Sequence, residues 1–557
     1  MENSRKNLWG EQIQILRDRE ETTRLINKVA NPKTTKDVNK KLIESDKIPL
    51  NIKLDIIKKE VFNKLGIYKD KVALITTKEQ LESYINIILK NNIVSIDTET
   101  YSFLKKKKAA LDPLTCKLTG CCLYTPGEKA VYIPINHLDL NNNRLQNQLT
   151  EDDLFNGLNK IYNCTIIMHN GKFDYQVLKC TCNLVMPITH DTMIAAQVLN
   201  ENESAALKFQ YKDKVDDSVE DYDYSTLFGS IINAYIPPEI FLLYAAPDAL
   251  ITYKLYEWQL KEFNKLENYK LYNSLFKKVE MPDIIPVAET ELRGVSIDLD
   301  LAKRLSTKFH KKLNTVEQQL NTELNKYSDR IKEWRLSFDA TNKTPKIDSE
   351  TGLQKVNKKG ELLYNKSKAE QLEDPVKLSS PQQLAILLYD IIGVEPIDGQ
   401  RSTDKKILAQ LDLPLCKLIT KYNNYKHLLD SFIDTLPTML NEKDGLLHAS
   451  FNQLGREDNN VVTGRFSSTE PNLQQIPSRG EGNSIRMMFT PTGPYEHIIE
   501  LNENCYQVKA GDEVNISENT WVLVNNLKIG DYILNSENTF DTIKDIKLID
   551  KVYYIYI

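Results

Sequence analysis

No stretch of this 557-residue chain comes near the roughly 18 consecutive apolar residues that a membrane helix requires. The opening MENSRKNLWGEQIQILRDRE is polar and charged, unlike a secretory leader. A cytoplasmic setting without membrane attachment is therefore the expectation. Cysteine is sparse and unpaired in sequence: the eight cysteines contain no C-x2-C spacing, which argues against a structural zinc site and for reduced thiols. A large excess of positive charge is also missing. With 72 Lys+Arg against 77 Asp+Glu the net charge is −5, so any nucleic acid must be held by local patches and not by a basic chain as a whole. No repeat recurs at periods of about 20 to 50 residues, which excludes solenoids and propellers.

What is present is ordinary globular material, 41% hydrophobic and 27% charged, in a chain long enough for several domains. Residues 1–72 read as a helical extension. From 73 to 258, short β-branched strands (VALITT, NIVSIDTET, KLTGCCLYT, KAVYIPI) alternate with helical stretches, as in an α/β domain. Lys/Glu/Leu-rich helices dominate 259–444, interrupted at 341–374 by a polar insertion without hydrophobic periodicity. Residues 445–504 are rich in loops and strands, and 505–557 hold short alternating strands such as WVLV and VYYIYI.

Four acids stand at element boundaries. The apolar strand IVSIDTE ends in Asp97 and Glu99, which strand periodicity puts on one face. In IIMHNGKFDYQVL a strand turns at Gly171 into a helix beginning near Asp174. In FLLYAAPDALITYKLY, helical spacing aligns Tyr244 with Asp248. Four carboxylates around one cleft repel each other unless cations sit among them. Phosphodiester hydrolysis with two ions about 3.5 to 4 Å apart suits such a set, and hard oxygen donors suit Mg²⁺ or Mn²⁺.

These residues resemble the DEDD exonuclease superfamily in its tyrosine subclass, as found in the proofreading domains of family A DNA polymerases: Asp97 and Glu99, then Asn170 to Asp174, then Tyr244-x3-Asp248. The resemblance implies a ribonuclease H-like fold in which Asp97, Glu99, Asp174 and Asp248 bind two metal ions and Tyr244 orients the attacking water. It also implies that Asp191 supports the cleft from behind the ligands. Asn170 and Lys172 are candidate DNA contacts.

Further on, VEMPDIIPVAETELRGVSIDLDLAKRL, LSSPQQLAILLYDIIGV and RSTDKKILAQL resemble the family A thumb, with Lys303, Arg304, Lys308, Lys311 and Lys312 as a basic helix face. TGRFSS at 463–468, PNLQQIP at 471–477 and Arg486-x2-Phe489 closely resemble the start of the palm, which makes Thr463, Arg465, Asn472, Gln474, Gln475 and Arg486 candidate contacts to a primer-template. The palm motif D-Y-S-Q-I-E, the fingers motif and the H-D-E motif expected next do not occur after Phe489. Synthesis by these residues alone is therefore not expected.

The tail from Cys505 resembles the N-terminal part of an intein: Gly511-Asp512-Glu513-Val514 and Leu527-Lys528-Ile529-Gly530-Asp531 follow the cysteine that would attack the preceding carbonyl. The resemblance implies either a second chain carrying the other intein half and the rest of the polymerase, as in a split intein, or a gene truncated here. The expected architecture is α/β plus mostly α: an exonuclease domain, a helical thumb, an incomplete palm and a small all-β Hint-like module. The expected activity is metal-dependent 3′–5′ removal of nucleotides. A stand-alone exonuclease on DNA or RNA, and an inactive DNA-binding splicing precursor, are the alternatives.

Overall fold

The computed structural model describes residues 38–490 apart from 105–107, 219–222, 339–343, 349–352, 358–360, 366–368, 398 and 454–463, and beyond 504 the backbone of strands between 505 and 556. Most of the helical extension expected at the N-terminus, together with Thr463, lies outside the described residues. The chain forms two compact units, Met1–Gly294 with Asn441–Gln475, and Val295–Leu440 with Ile476–Ile557. The first unit thus takes in helices beyond residue 258 and part of the palm-like stretch. No described helix is long and apolar enough to cross a membrane.

The first unit begins with α1 (Val38–Glu44) and α2 (Leu50–Leu65), then β1 (Val72–Leu74) and α3 (Lys78–Asn91). The last is bounded by its own sequence. Thr77 and Gln80 form a reciprocal capping box at its start, and Asn92 closes it in the left-handed conformation. There follow β2 (Ile93–Tyr101), β3 (Lys117–Tyr124), β4 (Ala130–Pro134), α4 (Glu151–Leu158), β5 (Thr165–Met168), α5 (Gly171–Cys182), β6 (His190–Asp191), α6 (Thr192–Leu199), α7 (Leu207–Lys214), α8 (Tyr224–Phe228), α9 (Pro238–Phe263) and α10 (Met281–Arg293). A hairpin of β7 (Ser450–Asn452) and β8 (Ser467–Thr469) completes the unit.

The six strands β1 to β6 make one mixed sheet in the order β1-β4-β3-β2-β5-β6. β2-β3-β4 is an antiparallel meander, whereas β5 and β6 join in parallel, as strands that reach the sheet through helices must. Period-two alternation divides the side chains between two cores. Val94, Ile96, Ile166 and Met168 pack against α3, α4 and α5. Cys122, Tyr124, Tyr132 and Ile167 pack against α2, α8 and α9. Each such buried aliphatic side chain contributes about 1.5 to 3 kcal/mol of transfer free energy, so both faces hold the helices firmly.

The second unit contains the long helix α11 (Leu299–Asn325), capped by the Asp298 carboxylate on the N–H of Leu301, which packs along α12 (Pro414–Leu428). Ile297 and Phe489 pair antiparallel, tying the two sequence segments of the unit. The insertion expected to lack periodicity has local order in its described parts. Three short arms are joined by bridges Pro345↔Tyr364, Ile347↔Gln354 and Val356↔Leu362. Its alternation runs for only two or three apolar positions per arm, too short to stand out in a helix-length window. In the tail, Cys505–Lys509 and Asp545–Ile549 both pair antiparallel with Val552–Tyr556, and Glu513–Ser517 pairs with Thr520–Leu523.

Candidate active site of the first unit

β2 delivers the first two acids. Ser95 donates its hydroxyl to the carbonyl of Ala249 at 2.6 Å, so the face bearing Ser95, Asp97 and Glu99 is the one under α9. β5 pairs with β2 only as far as Ser95↔Ile167, so the strand edge beyond is left unpaired by the sheet. Asp174 uses that edge. Its Oδ1 accepts from the backbone N–H of Thr98 at 2.9 Å and from the Thr98 hydroxyl at 2.7 Å.

The helix start that brings Asp174 there is built from two constraints. Asn170 sits in the left-handed region, at φ 58°, which Asn tolerates better than most residues. Gly171 follows where a Cβ would lie 2.7 Å from the Cβ of Met168, so no larger residue fits without a shift. Asp191 fixes the turn. Its carboxylate accepts from the N–H of Gly171 at 2.7 Å and of Asn170 at 3.3 Å, and caps α6 through Met193 and Ile194. Asp191 thus ties the start of α5 to the start of α6.

α9 supplies Tyr244 and Asp248 one turn apart, with Pro247 between them inside the helix. Proline donates no backbone hydrogen bond, so this turn has one ladder bond fewer than its neighbours. The ring of Tyr244 is walled by Tyr224, Phe228 and Phe241 at centroid distances of 5.9, 5.3 and 5.8 Å. Lys208 from α7 places its ammonium 4.5 Å from the ring centroid of Tyr244 and 3.7 Å from Asp248 Oδ2.

The four carboxylates lie in one electrostatic field. Burial, reinforced by Asp174, Glu99 and Asp248, pushes the Asp97 carboxyl well above the usual range. Burial and then Asp248 push Glu99 up to about 8. Burial raises Asp174 to about 7 against the opposing hydrogen bonds from Thr98. The Tyr244 phenol is raised by burial first and then by Asp248, Glu99 and Asp97. Among the described residues no three His, Cys, Asp or Glu side chains are drawn together closely enough to clasp an ion as they stand. Asp174 meets Thr98 through Oδ1, and Asp248 Oδ2 lies 3.7 Å from Lys208. In donor chemistry the set nonetheless fits a hard divalent cation: the buried Asp174 and the half-buried Asp97, Glu99 and Asp248 offer oxygens whose mutual repulsion a bound 2+ charge relieves.

The other expected contacts divide. Lys172 is engaged, donating to Glu291 Oε1 at 2.6 Å and to the Phe451 carbonyl at 2.7 Å. Arg465, Gln474 and Gln475 are exposed. Gln474 donates to the Phe466 carbonyl, and the Asn472 side chain accepts from the N–H of Gln474. Arg486 lies half-buried in the second unit. Cys505 begins a strand, and its side chain lies outside the described residues. Sequence reasoning missed Thr98, Ser95, Glu291 and Lys208. The first two were findable as neighbours of Asp97 on β2; the last two carry no local pattern.

Comparison with known proteins adds family. Residues 72–262 match the 3′–5′ exonuclease family and residues 348–502 match DNA polymerase family A. The DNA polymerase I of Chloroflexus aurantiacus is 26% identical over 401 residues, covering 68% of this chain and 36% of that protein. The DNA polymerase I of Borreliella burgdorferi is 27% identical over 435 residues, covering 76% of this chain and 39% of that protein. The DNA polymerase of Bacillus phage SP01 is 26% identical over 338 residues, covering 56% and 34%. The chain thus spans well under half the length of these relatives. In fold it is similar to the POL domain of Pol1 from M. smegmatis, solved with DNA primer-template and dNTP, with a TM-score of 0.53 and 17% identity over 80% of this chain and 61% of that one. With the acid cluster carried on the exonuclease-matching sheet and helices, the chain is similar to DNA polymerase I proteins in two stretches, one matching the 3′–5′ exonuclease family over 72–262 and one matching DNA polymerase family A over 348–502.

Proposed function

We propose that the first unit removes nucleotides from DNA 3′ ends by hydrolysis dependent on two divalent ions, Mg²⁺ or Mn²⁺. The observation that carries this reading is the shared, buried field of Asp97, Glu99, Asp174 and Asp248 with Tyr244 beside it. Ions bound there supply activation of a water and charge stabilisation for the leaving oxygen. The four carboxylates hold the ions, Tyr244 orients the water, Thr98 aims Asp174, and Asp191 fixes the helix start behind it. Asn170, at the mouth of the same turn, faces the DNA. Purified chain incubated with a 3′-labelled single strand and Mg²⁺ tests the reading. Release of mononucleotides, lost in Asp97→Ala, is expected; release that persists in Asp97→Ala rules it out.

DNA is the proposed partner of the polymerase-like part as well. The match over residues 348–502 and the exposed Arg465, Gln474 and Gln475 support primer-template contact, together with Thr463, Asn472 and Arg486. That match also favours a polymerase over a stand-alone exonuclease acting on RNA. Nucleotide addition is proposed to need palm and fingers groups from a partner chain, joined by splicing at Cys505. Support comes from the described strands after residue 504, among which the Cys505 strand pairs with Val552–Tyr556. Co-expression with a candidate partner should give a mass shift that Cys505→Ala abolishes; an unchanged mass refutes the splicing part alone.

A further inference from the structure

We propose that Lys208 is a positioning residue of the acid cluster, its ammonium held between the Tyr244 ring and the Asp248 carboxylate so that both side chains stay in register for hydrolysis. The inference rests on the exonuclease reading above and adds to it a residue outside the three acidic segments.

Geometry carries it. Lys208 projects from α7, which packs against α9, the helix that bears both of its neighbours. Its side chain is 25% exposed and that of Asp248 18%, so the pair is largely withdrawn from water and only weakly screened. At 3.7 Å the contact with Asp248 is longer than a hydrogen bond and acts as charge attraction. At 4.5 Å from the ring centroid the ammonium is within the roughly 6 Å reach of a cation–π contact. Tyr224, Phe228 and Phe241 wall the other sides of the same ring, so Lys208 completes a cage around Tyr244.

Charge counting gives the cage a second consequence. The Lys208 ammonium, 3.7 Å from Asp248, offsets part of the repulsion among the carboxylates and leaves room for divalent ions. A divalent ion and the ammonium both draw on Asp248. Removing the ammonium therefore makes the cluster more attractive to metal and at the same time less well arranged for turnover. A residue that merely supports the fold would not move these two quantities in opposite directions.

The test uses the full chain with Lys208→Met, which keeps the length of the side chain, and Lys208→Arg, which keeps the charge. Mn²⁺ binding is followed by calorimetry without DNA, and release from a 3′-labelled single strand is followed with Mg²⁺. For Lys208→Met, Mn²⁺ is expected to bind about threefold tighter, kcat to fall about tenfold or more, and KM for DNA to stay within about twofold. Lys208→Arg is expected to recover most of kcat. Unchanged or weaker Mn²⁺ binding in Lys208→Met, or unchanged kcat, overturns the proposal, as does Lys208→Arg behaving like Lys208→Met. If Lys208→Met does not fold, Lys208→Gln takes its place, and the same changes in Mn²⁺ binding and kcat decide. A wild-type chain that binds Mn²⁺ but releases no nucleotide overturns the exonuclease reading itself, and is recognised because it fails before any variant is compared.

Discussion

The hydroxyl and the backbone N–H of Thr98 both donate to one oxygen of Asp174, at 2.7 and 2.9 Å. The residue between the two acids of β2 thereby aims the third acid, which comes from α5. Hydrogen bonds to a charged group contribute about 1.5 to 3 kcal/mol, so Thr98→Val, which keeps the shape and loses the hydroxyl, should weaken Mn²⁺ binding and turnover by about tenfold while leaving the backbone bond intact. Calorimetry and single-turnover release measure the two effects. An unchanged variant would mean that Asp174 is held by the N–H alone.

Four acids sharing one field make the apo protein less stable than its core would otherwise allow. Burial and the neighbouring Asp174, Glu99 and Asp248 raise the Asp97 carboxyl well above the usual range. Asp97→Asn removes a charge that the fold must otherwise bury or neutralise, so thermal melting in EDTA at pH 8 should shift upward by a few degrees, on the order of 1 kcal/mol or more. The same variant should release no nucleotide. A lower melting temperature would contradict the electrostatic account of the cluster.

The pH dependence has a definite sign. Asp174 and Glu99 titrate in the folded chain at about 7 and about 8, above their ordinary carboxylate values. Between about pH 4 and 8 the folded state therefore holds more protons than the unfolded state, and stability falls as pH rises through that window, by up to about 1.4 kcal/mol per pH unit per group. Urea titrations in EDTA at pH 5.5 and pH 8.5 should show the drop. Mg²⁺ should bind more tightly at the higher pH and release protons as it binds, which calorimetry in buffers of different ionisation enthalpy detects.

Much of this site was legible in the chain because its acids fall where periodicity fixes direction. Asp97 and Glu99 occupy alternate positions of a strand, and Tyr244 and Asp248 are one helical turn apart, so each pair shares a face before any tertiary contact is known. The joining of the pairs was legible only through family resemblance, since no local rule states that β2 lies under α9. Lys208 and Glu291 were illegible for a physical reason: each acts across more than thirty residues of sequence, on side chains of other helices, and a lone Lys or Glu on a helix reads as solvated. The arms within 341–374 escaped because their apolar alternation is interrupted by turns after two or three positions.

Lys172 illustrates how a tertiary partner redirects a residue that sequence alone assigns to DNA. Its ammonium bonds Glu291 and the Phe451 carbonyl, and Glu291 also accepts from Gln176 at 2.7 Å and from the N–H of Phe451, so one carboxylate joins α5, α10 and β7. The side chains of Lys172 and Glu291 are 19% and 10% exposed. Removing one member of such a pair leaves an uncompensated buried charge and costs about 3 to 5 kcal/mol, whereas replacing both restores part of the loss. Lys172→Met should therefore lower unfolding free energy by about 3 kcal/mol in urea, and Lys172→Met/Glu291→Gln should be more stable than Lys172→Met. Affinity for a single strand, measured by fluorescence anisotropy, should change less than about threefold, with no change in its salt slope, because this lysine neutralises a carboxylate and not a phosphate. A shallower salt slope in Lys172→Met, with stability intact, would return Lys172 to the DNA-binding surface.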